Sequence, residues 1–229
     1  MGDHPSDIES VDRATDRLLH EVAGWDPSAV AVPSLLPGWS RGHVLAHLSR
    51  NADALENVLR GGPMYASSET RDRDIARDAV RPQQVQLADL RASHLRFLAA
   101  ARAPGDLSRT VELRNGVTDR ASRLPFRRWV EVELHHVDLG AGYTLEDMPA
   151  EFTGRLVGHL AARYDRHPAL VPVRLAADDG GTWTTGGGAE GPVTLVRGPA
   201  AVLAGWLSGR RAASAPAVEG GPLPPVPPL

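Results

Sequence analysis

The segment WVEVELHHVD, residues 129–138, is the stretch on which the fold and the site depend, because it places acidic and imidazole side chains on an otherwise apolar helix. At 100° per residue, Glu131, His135 and Asp138 fall within about 60° of one another and form one polar strip. A carboxylate and an imidazole four residues apart on a helix can bind one metal ion together. The strip therefore predicts a helix that can carry two metal ligands.

The same segment allows two other interpretations. Glu133 and His136 form a competing pair on a different face of the helix, three residues apart, and spacing alone does not choose between the two pairs. The segment can also be a helix edge that carries two solvated ion pairs and no metal. All three interpretations require a helix here. They differ in which face of the helix, if either, binds a metal ion.

Apolar residues recur at helical intervals in four segments, and capping residues or prolines mark where these segments begin. The predicted helices cover residues 6–23, 41–60, 82–103 and 125–140. The charge-dense stretch 69–81 is interpreted as a loop before the third helix. Four long helices connected in this way predict an antiparallel bundle.

The pattern changes after residue 148. A helix is predicted over 149–166, three short strands over 171–177, 182–185 and 192–197, and a last helix over 199–209. Residues 211–229 are rich in Ala, Pro and Gly, and we expect them to be disordered. The predicted fold class is mainly α, with a bundle at 1–148, a small α/β domain at 149–210 and a Pro-rich tail at 211–229.

The second predicted helix supplies a candidate third ligand. His47 borders the apolar stripe of this helix, in the middle of the bundle, and His43 lies one turn earlier, where it can help to cap the helix. Bundles build metal sites from inward side chains on facing helices, and two histidines, one glutamate and an open position form a catalytic zinc set. The alternative for His47 is a packed, hydrogen-bonded core histidine.

The composition limits the chemistry of the chain. It contains no cysteine, which excludes disulfides, thiolate metal sites and a thiol nucleophile of its own. It contains no lysine either, so Schiff-base catalysis is excluded and carboxylates must be held by arginines. The formal net charge of -3 argues against nucleic acid as a partner. No apolar run could cross a membrane and the N-terminus lacks a signal-peptide pattern, so a cytoplasmic protein is expected.

Two motifs resemble those of a known family. LPGWSRGHVLAHL at 36–48 and RRWVEVELHHVDLG at 127–140 are similar to segments of the mycothiol-dependent maleylpyruvate isomerase family, a branch of the DinB-like metal-binding four-helix bundles. The charged stretch 65–82 and the ending from VRGPAA to WLSGR, within 196–210, look like it as well. In that family, zinc is bound by a histidine of the second helix and by a glutamate and a histidine four residues apart on the fourth. The resemblance thus implies that His47, Glu131 and His135 bind Zn²⁺.

The resemblance also implies a reaction. Members of the family convert the cis double bond of maleylpyruvate into the trans bond of fumarylpyruvate in gentisate-type aromatic catabolism, with mycothiol as the thiol that adds to the alkene and leaves again. Zinc would lower the pKa of that external thiol, which suits a chain without cysteine. The substrate carboxylates and the developing enolate would then need cations.

Four arginines are candidates for these cations. Arg71, Arg73 and Arg77 lie in the charged stretch and are expected to bind substrate, while Arg210, where an apolar helix ends, is the candidate catalytic residue. Asp138 is a candidate hydrogen-bond partner behind the ligand His135. Each of these side chains can instead be a solvated surface charge.

Two other functions share these features. A mycothiol S-transferase would use the same site on another electrophile and form a lasting thioether, and a non-catalytic DinB-like protein would bind metal without turnover. For the enzyme, the expected partners are mycothiol and a small dicarboxylate substrate, and we expect the chain to be a monomer.

Overall fold

The structure is a computed structural model that describes residues 4–187, 191–210 and 212–228. The chain divides into two compact units, Met1–Gly142 and Tyr143–Leu229, and the boundary lies a few residues before the predicted one at 148. The prediction of a mainly α chain with a small C-terminal sheet region is confirmed. Among the helices formed by the described residues, none combines the length and apolar character of a membrane span.

The first unit is built from five α-helices and one hairpin. Short 3-10 helices at Pro27–Ala31, Arg114–Gly116 and Ala121–Arg123 connect them. The elements are α1 (His4–Ala23), α2 (Arg41–Leu59), α3 (Ser68–Ala79), α4 (Gln83–Arg102), β1 (Thr110–Glu112), β2 (Thr118–Arg120) and α5 (Leu124–Asp138).

Helices α1, α2, α4 and α5 form the predicted bundle, in which α1 and α2 each pack against both α4 and α5. Their apolar stripes bury large side chains completely, among them Leu18, Leu48, Phe97 and Trp129. Burying such stripes is what stabilises helices of this length. The four sequence patterns therefore led to the correct bundle helices.

The directions of the helices follow from pairs of contacting residues. His47 and Asn51 of α2 contact Glu131 and Arg128 of α5, respectively, so the order reverses and these helices are antiparallel. Arg50 of α2 contacts Asp89 of α4, and Glu56, further along α2, contacts Arg96, so α2 and α4 run parallel. Two consecutive bundle helices can be parallel only if the chain returns between them.

Helix α3 provides that return, and the interpretation of 69–81 as a loop is therefore wrong. The helix begins at the N-cap Ser67, whose side chain accepts from the backbone N–H of Thr70. Its apolar side is narrow: Ile75 and Ala79 pack against Ala46 and the partly buried Trp39. With so few apolar positions, the many charged residues obscured the helical pattern.

An ion-pair network holds α3 against the bundle. The buried Asp78 accepts from Arg77 at 2.8 Å, and it forms ion pairs with Arg81 at 2.6 Å and with Arg50 of α2 at 3.7 Å. Arg50 also donates to Asp89 of α4 at 2.8 Å. Because a buried carboxylate requires nearby cations, the charges of this segment fix the helix in place.

The hairpin of β1 and β2 was missed by the sequence patterns. The two strands are antiparallel, with Val111 opposite Asp119, and Asn115 and Gly116 at the turn have φ of +61° and +71°. An Asn-Gly pair is a strong hairpin signal because both residues tolerate positive φ. The strands are too short to show alternation, so this dipeptide was the usable signal.

The second unit contains a small mixed sheet and two helices. Its elements are a 3-10 helix (Leu145–Asp147), α6 (Ala150–Tyr164), β3 (Val173–Ala177), β4 (Thr182–Thr185), β5 (Thr194–Gly198), α7 (Ala200–Ser208) and β6 (Ala217–Glu219). The strand order is β4-β3-β5-β6, in which β3 and β5 are parallel and the other two pairs are antiparallel. As expected, α7 packs on this sheet and ends at Gly209, which has φ of +70°.

The Pro-rich tail differs from the predicted disorder; its end residues Arg211 and Leu229 lie outside the described residues. Val218 of β6 pairs with Val196 of β5. Further along, Trp206 Nε1 donates to the carbonyl of Pro224 at 3.0 Å, and the Tyr164 hydroxyl donates to that of Pro227 at 2.9 Å. Prolines lack an N–H but keep a carbonyl acceptor, so a segment without helical or strand periodicity can still be held by aromatic donors.

Candidate metal centre

Helices α2 and α5 bring His47, Glu131 and His135 together in the first unit. Nε2 of His47 lies 3.1 Å and Nε2 of His135 lies 3.4 Å from the same Oε2 of Glu131. One ligand atom from each of the three residues lies within 4.8 Å of the others. Among the described residues, this is the only such group of three or more acidic or histidine side chains.

The start of α2 positions His47. Ser40 and His43 form a capping box, in which the Ser40 backbone N–H donates to Nδ1 of His43 at 3.2 Å. His43 is therefore used for capping, as expected for its place near the helix start. One turn later, His47 is 6% exposed and its ring lies 5.7 Å from that of Trp39. The PGW turn and the cap thus fix the direction from which the imidazole enters the bundle.

The competing pair on α5 has partners on α1. Glu133 is fully buried and accepts from Arg17 at 2.6 Å and from Trp129 Nε1 at 2.8 Å. His136 lies with its Nε2 2.9 Å from Oε2 of Glu21. These contacts occupy the second face of α5 with paired, structural interactions. Among the described residues, a histidine from another helix joins a metal-binding group only at the Glu131 and His135 face.

Asp138 lies directly behind His135, which is the position predicted for an outer partner. Its Oδ2 is 2.8 Å from Nδ1 of His135, and Asp138 is 1% exposed. A carboxylate at Nδ1 places the proton on that nitrogen and leaves Nε2 free to act as a ligand. This is the arrangement that orients an imidazole toward a metal.

The protonation of the three residues follows from their surroundings. Burial lowers the pKa of His47 to about 4, so its imidazole is neutral at pH 7. Burial alone would raise the pKa of Glu131, but hydrogen bonds with His135 and His47 outweigh it and hold this pKa well below the usual value. Burial opposes protonation of His135 too, whereas its hydrogen bonds to Asp138 and Glu131 raise its pKa. The carboxylate and one imidazole are thus in the forms that bind a metal.

This donor set fits a divalent transition metal. Two imidazole nitrogens and one carboxylate oxygen are ligands of catalytic zinc sites, which keep a further position for an exogenous ligand. The same set also suits nickel, iron and cobalt. The residues that would hold the ion are His47, Glu131 and His135.

The three arginines of α3 have different surroundings. Arg71 reaches the centre: its Nη2 lies 3.3 Å from Nδ1 of His47, and its side chain is 12% exposed. Arg77 pairs with Asp74 and Asp78, on the side of α3 that faces the ion-pair network. Arg73 is exposed and its Nη2 lies 3.4 Å from the Thr70 hydroxyl. The structure brings only Arg71 of the three to the centre.

A cavity of about 570 Å³ opens beside Tyr65, between the segment that follows α2 and the hairpin. Arg71 lies over the Tyr65 ring at 5.9 Å, and charges on Arg71 and Glu131 both act on the Tyr65 hydroxyl, whose pKa is raised chiefly by burial. The cavity is also lined by Ser67, Arg109 and Glu112. Tyr65 was not singled out from the sequence, since nothing in its neighbourhood marks it; the structure places it between the cavity and the centre.

Arg210 lies in the second unit, immediately after α7. Its backbone N–H donates to the carbonyl of Gly205 at 2.8 Å and its Nη1 donates to that of Ser208 at 3.1 Å. It lines a cavity of about 400 Å³ together with Trp206 and the tail residue Leu223. Its catalytic role stays a prediction from the resemblance.

Comparison with known proteins identifies the fold and the family of the chain. A family model described as the mycothiol maleylpyruvate isomerase N-terminal domain matches residues 11–140. Two crystal structures of the mycothiol-dependent maleylpyruvate isomerase, one of them a mutant, have the same fold: each gives a TM-score of 0.88 at 24% identity and covers 99% of this chain and 97% of the other. No curated protein sequence matches the chain. Since the family model spans more than half of the sequence, including all of α2 and α5, the chain belongs to the mycothiol maleylpyruvate isomerase N-terminal domain family.

Proposed function

We propose that the protein is a zinc- and mycothiol-dependent cis-trans isomerase that converts maleylpyruvate into fumarylpyruvate. The observation that carries this proposal is the cluster of His47, Glu131 and His135 in a chain without cysteine. The family membership supports the choice of thiol and substrate. A bound zinc ion would supply Lewis acidity that lowers the pKa of a thiol.

The residues of the chain prepare this site. Glu131 is kept ionised by its two histidine neighbours, and Asp138 fixes the tautomer of His135. Burial keeps His47 neutral, so its nitrogen lone pair is available at pH 7. We assign the cavity beside Tyr65 to the part of the cosubstrate that does not react. Helices hold all three ligands, which favours a rigid site.

The reaction needs a thiol that adds and leaves again. The thiolate sulfur of mycothiol forms a bond to one alkene carbon, and the alkene electron pair moves onto the conjugated carbonyl to give an enolate. The former double bond between the two alkene carbons is now a single bond, and the intermediate rotates about it. The carbon–sulfur bond then breaks, the electron pair returns to form the trans alkene, and the thiolate is released. Nothing is oxidised or reduced, and no cysteine of the protein is required.

Cations of the chain would stabilise the charges of this reaction. Arg71 is the best placed of the α3 arginines, because it lies against His47 with little exposure. We assign it to a substrate carboxylate or the enolate oxygen, and Arg210 to the remaining carboxylate by its resemblance to the family motif. Arg73 and Arg77 are left out of this assignment, since they face Thr70, Asp74 and Asp78.

The test is an assay of the metal-loaded protein with maleylpyruvate, with and without mycothiol, in which NMR follows the trans product. We expect product only when the thiol is present and no modification by cysteine-directed reagents. Full activity in thiol-free buffer would contradict the proposed chemistry. A thiol-dependent adduct without trans product would instead identify an S-transferase, and metal binding with neither would identify a non-catalytic protein.

Arg210→Ala tests the assignment of that arginine. We expect metal content and melting temperature to stay unchanged while kcat/KM falls by about 30- to 1,000-fold, since a single charged contact to a developing anion contributes about 2 to 4 kcal/mol to the barrier. Arg73→Ala is the matched control and should stay near the wild-type rate. A near wild-type rate in Arg210→Ala would show that the carboxylates are held elsewhere.

A further inference from the structure

Arg128 of α5 is a fully buried cation whose hydrogen bonding is incomplete. Its side chain is inaccessible to solvent, and its Nη1 donates to Oδ1 of Asn51 at 2.8 Å. Its Nε and Nη2 have no hydrogen-bond partner among the described residues. A guanidinium has five N–H groups, so most of its donor capacity is unused here.

Arg128 lies one layer below the candidate metal centre. On α5 it precedes Glu131 by one helical turn, and its partner Asn51 follows His47 by one turn on the antiparallel α2. The Asn51 and Arg128 pair therefore stacks next to the His47 and Glu131 pair. In the sequence, the signal that marks Arg128 is its position three residues before the candidate ligand Glu131.

The charges around Arg128 leave it without a dedicated counter-ion. Burial lowers its pKa to about 10, so it stays protonated at neutral pH. Glu131, Tyr65 and Asp53 are the groups whose charges favour its protonated form. Arg128 also acts on His94, whose pKa is lowered to about 4 by burial and by Arg128 itself. Of these, Glu131 would be committed to a metal whenever the centre is filled.

Such an arrangement is costly for folding, which argues that the charge has a use. An uncompensated buried charge destabilises a protein by several kcal/mol, and an apolar residue of similar size would remove that penalty. The charge of Arg128 creates a positive potential in the neighbouring layer, which contains His47 and Glu131, because the dielectric constant of a buried region is low. That potential favours any negative charge that enters the centre.

We propose that Arg128 is a positioning residue that makes the open position of the filled metal centre select an anionic ligand over a neutral one. The ligands that it favours are small anions and thiolates. This inference rests on the metal centre of the proposed function but not on the isomerase reaction. Arg128 acts through its field and its place beneath Glu131, and it does not touch the incoming ligand.

The test compares an anion with a neutral ligand on the cobalt-loaded protein, whose visible absorption changes when a ligand binds. Azide is the anion and imidazole is the neutral ligand. In Arg128→Met, and in Arg128→Gln, which keeps a polar partner for Asn51, we expect azide affinity to fall about tenfold. Imidazole affinity should stay within about twofold. Arg128→Lys, which keeps the charge, should restore azide binding.

Arg127→Met is the matched control, because it removes the same charge from the same helix. Arg127 donates to Asp119 at 2.6 Å, outside the layer of the centre, so its loss should leave both ligands unaffected. Unchanged azide affinity in either neutral Arg128 variant would overturn the proposal. An equal fall for azide and imidazole would overturn it too and assign Arg128 a structural role. If the wild-type protein binds no cobalt, the metal centre itself fails, which separates the two outcomes.

Discussion

On one face of α5, Glu131 and His135 meet His47 of α2, and on another face Glu133 and His136 meet Arg17 and Glu21 of α1. Both faces carry one glutamate and one histidine, although Glu133 and His136 are buried more deeply than Glu131 and His135. They differ in what their neighbours offer. Helix α1 supplies an arginine to Glu133, whereas α2 supplies a second imidazole to Glu131. The partner helix, more than the residue types on α5, determines which face can bind a metal.

The largest expected effect separates the two histidines. His135→Ala removes a predicted ligand and should lower zinc affinity by more than about 100-fold, because losing a ligand exceeds the usual cost of losing its outer partner. His136→Ala should keep a full equivalent of metal. Isothermal titration with zinc measures both. Full metal occupancy in His135→Ala, with loss in His136→Ala, would show that the other face binds the ion.

The two glutamates should show the opposite order when the unfolding free energy is measured: replacing Glu133 should cost more stability than replacing Glu131. Glu133→Gln leaves Arg17 without its buried counter-charge, and we expect the metal-free protein to lose about 2 kcal/mol of unfolding free energy. Glu131→Gln should cost less, because the Glu131 side chain is 35% exposed and its partners are neutral or paired elsewhere. Urea unfolding of both variants with chelator present gives the comparison. A larger loss of unfolding free energy for Glu131→Gln would contradict this distinction between the two faces of α5.

A smaller effect is expected from the residue behind the centre. Asp138→Asn keeps the size of the side chain but no longer fixes the proton on Nδ1 of His135, so zinc affinity should fall about 10- to 100-fold. The helix should remain folded, as circular dichroism will show. Glu21→Gln, which changes the partner of His136 on the other face, is the control and should leave zinc affinity unaltered.

The smallest effect concerns pH and another buried histidine paired with α1. Nε2 of His94 lies 3.1 Å from Asp12, and burial lowers the pKa of His94 from its usual 6.5 to about 4. The unfolded chain therefore binds a proton first as the pH falls, so the stability that this group contributes is present above pH 6.5 and is lost toward pH 4. For the metal-free protein, His94 alone should account for a loss of about 1 kcal/mol between pH 7 and pH 5.5.

His94→Gln should lose correspondingly less over the same interval, as measured by urea unfolding at the two pH values. Equal losses of stability in the variant and the wild type would mean that His94 is protonated in the folded protein and that burial does not hold it neutral.

The comparison also shows how far the sequence could lead. The four-residue spacing of Glu131 and His135 and the position of His47 made these three side chains candidate ligands, and the cap at Ser40 and His43 was expected from its place in the chain. Spacing could not exclude Glu133 and His136, because their partners Arg17 and Glu21 are more than a hundred residues away in sequence. Only the family resemblance favoured one face.

Other features escaped for local reasons. Helix α3 buries so little apolar surface that its pattern is dominated by charges, which pair only in three dimensions. The hairpin strands are shorter than a period-two pattern can reveal, although Asn115 and Gly116 indicate the turn. Strand β6 lies in a segment whose Pro and Gly content is typical of disorder, and it pairs with the distant strand β5. Further along the tail, Pro224 and Pro227 accept from Trp206 and Tyr164.

The centre joins two helices whose contacting residues, His47 and Glu131, are 84 positions apart in the chain. An ion held there would act as a reversible cross-link that closes a long loop. Ions that bind only the folded state add stability in proportion to the logarithm of their concentration. Metal supply would thus influence the stability of the whole bundle as well as the chemistry of one site.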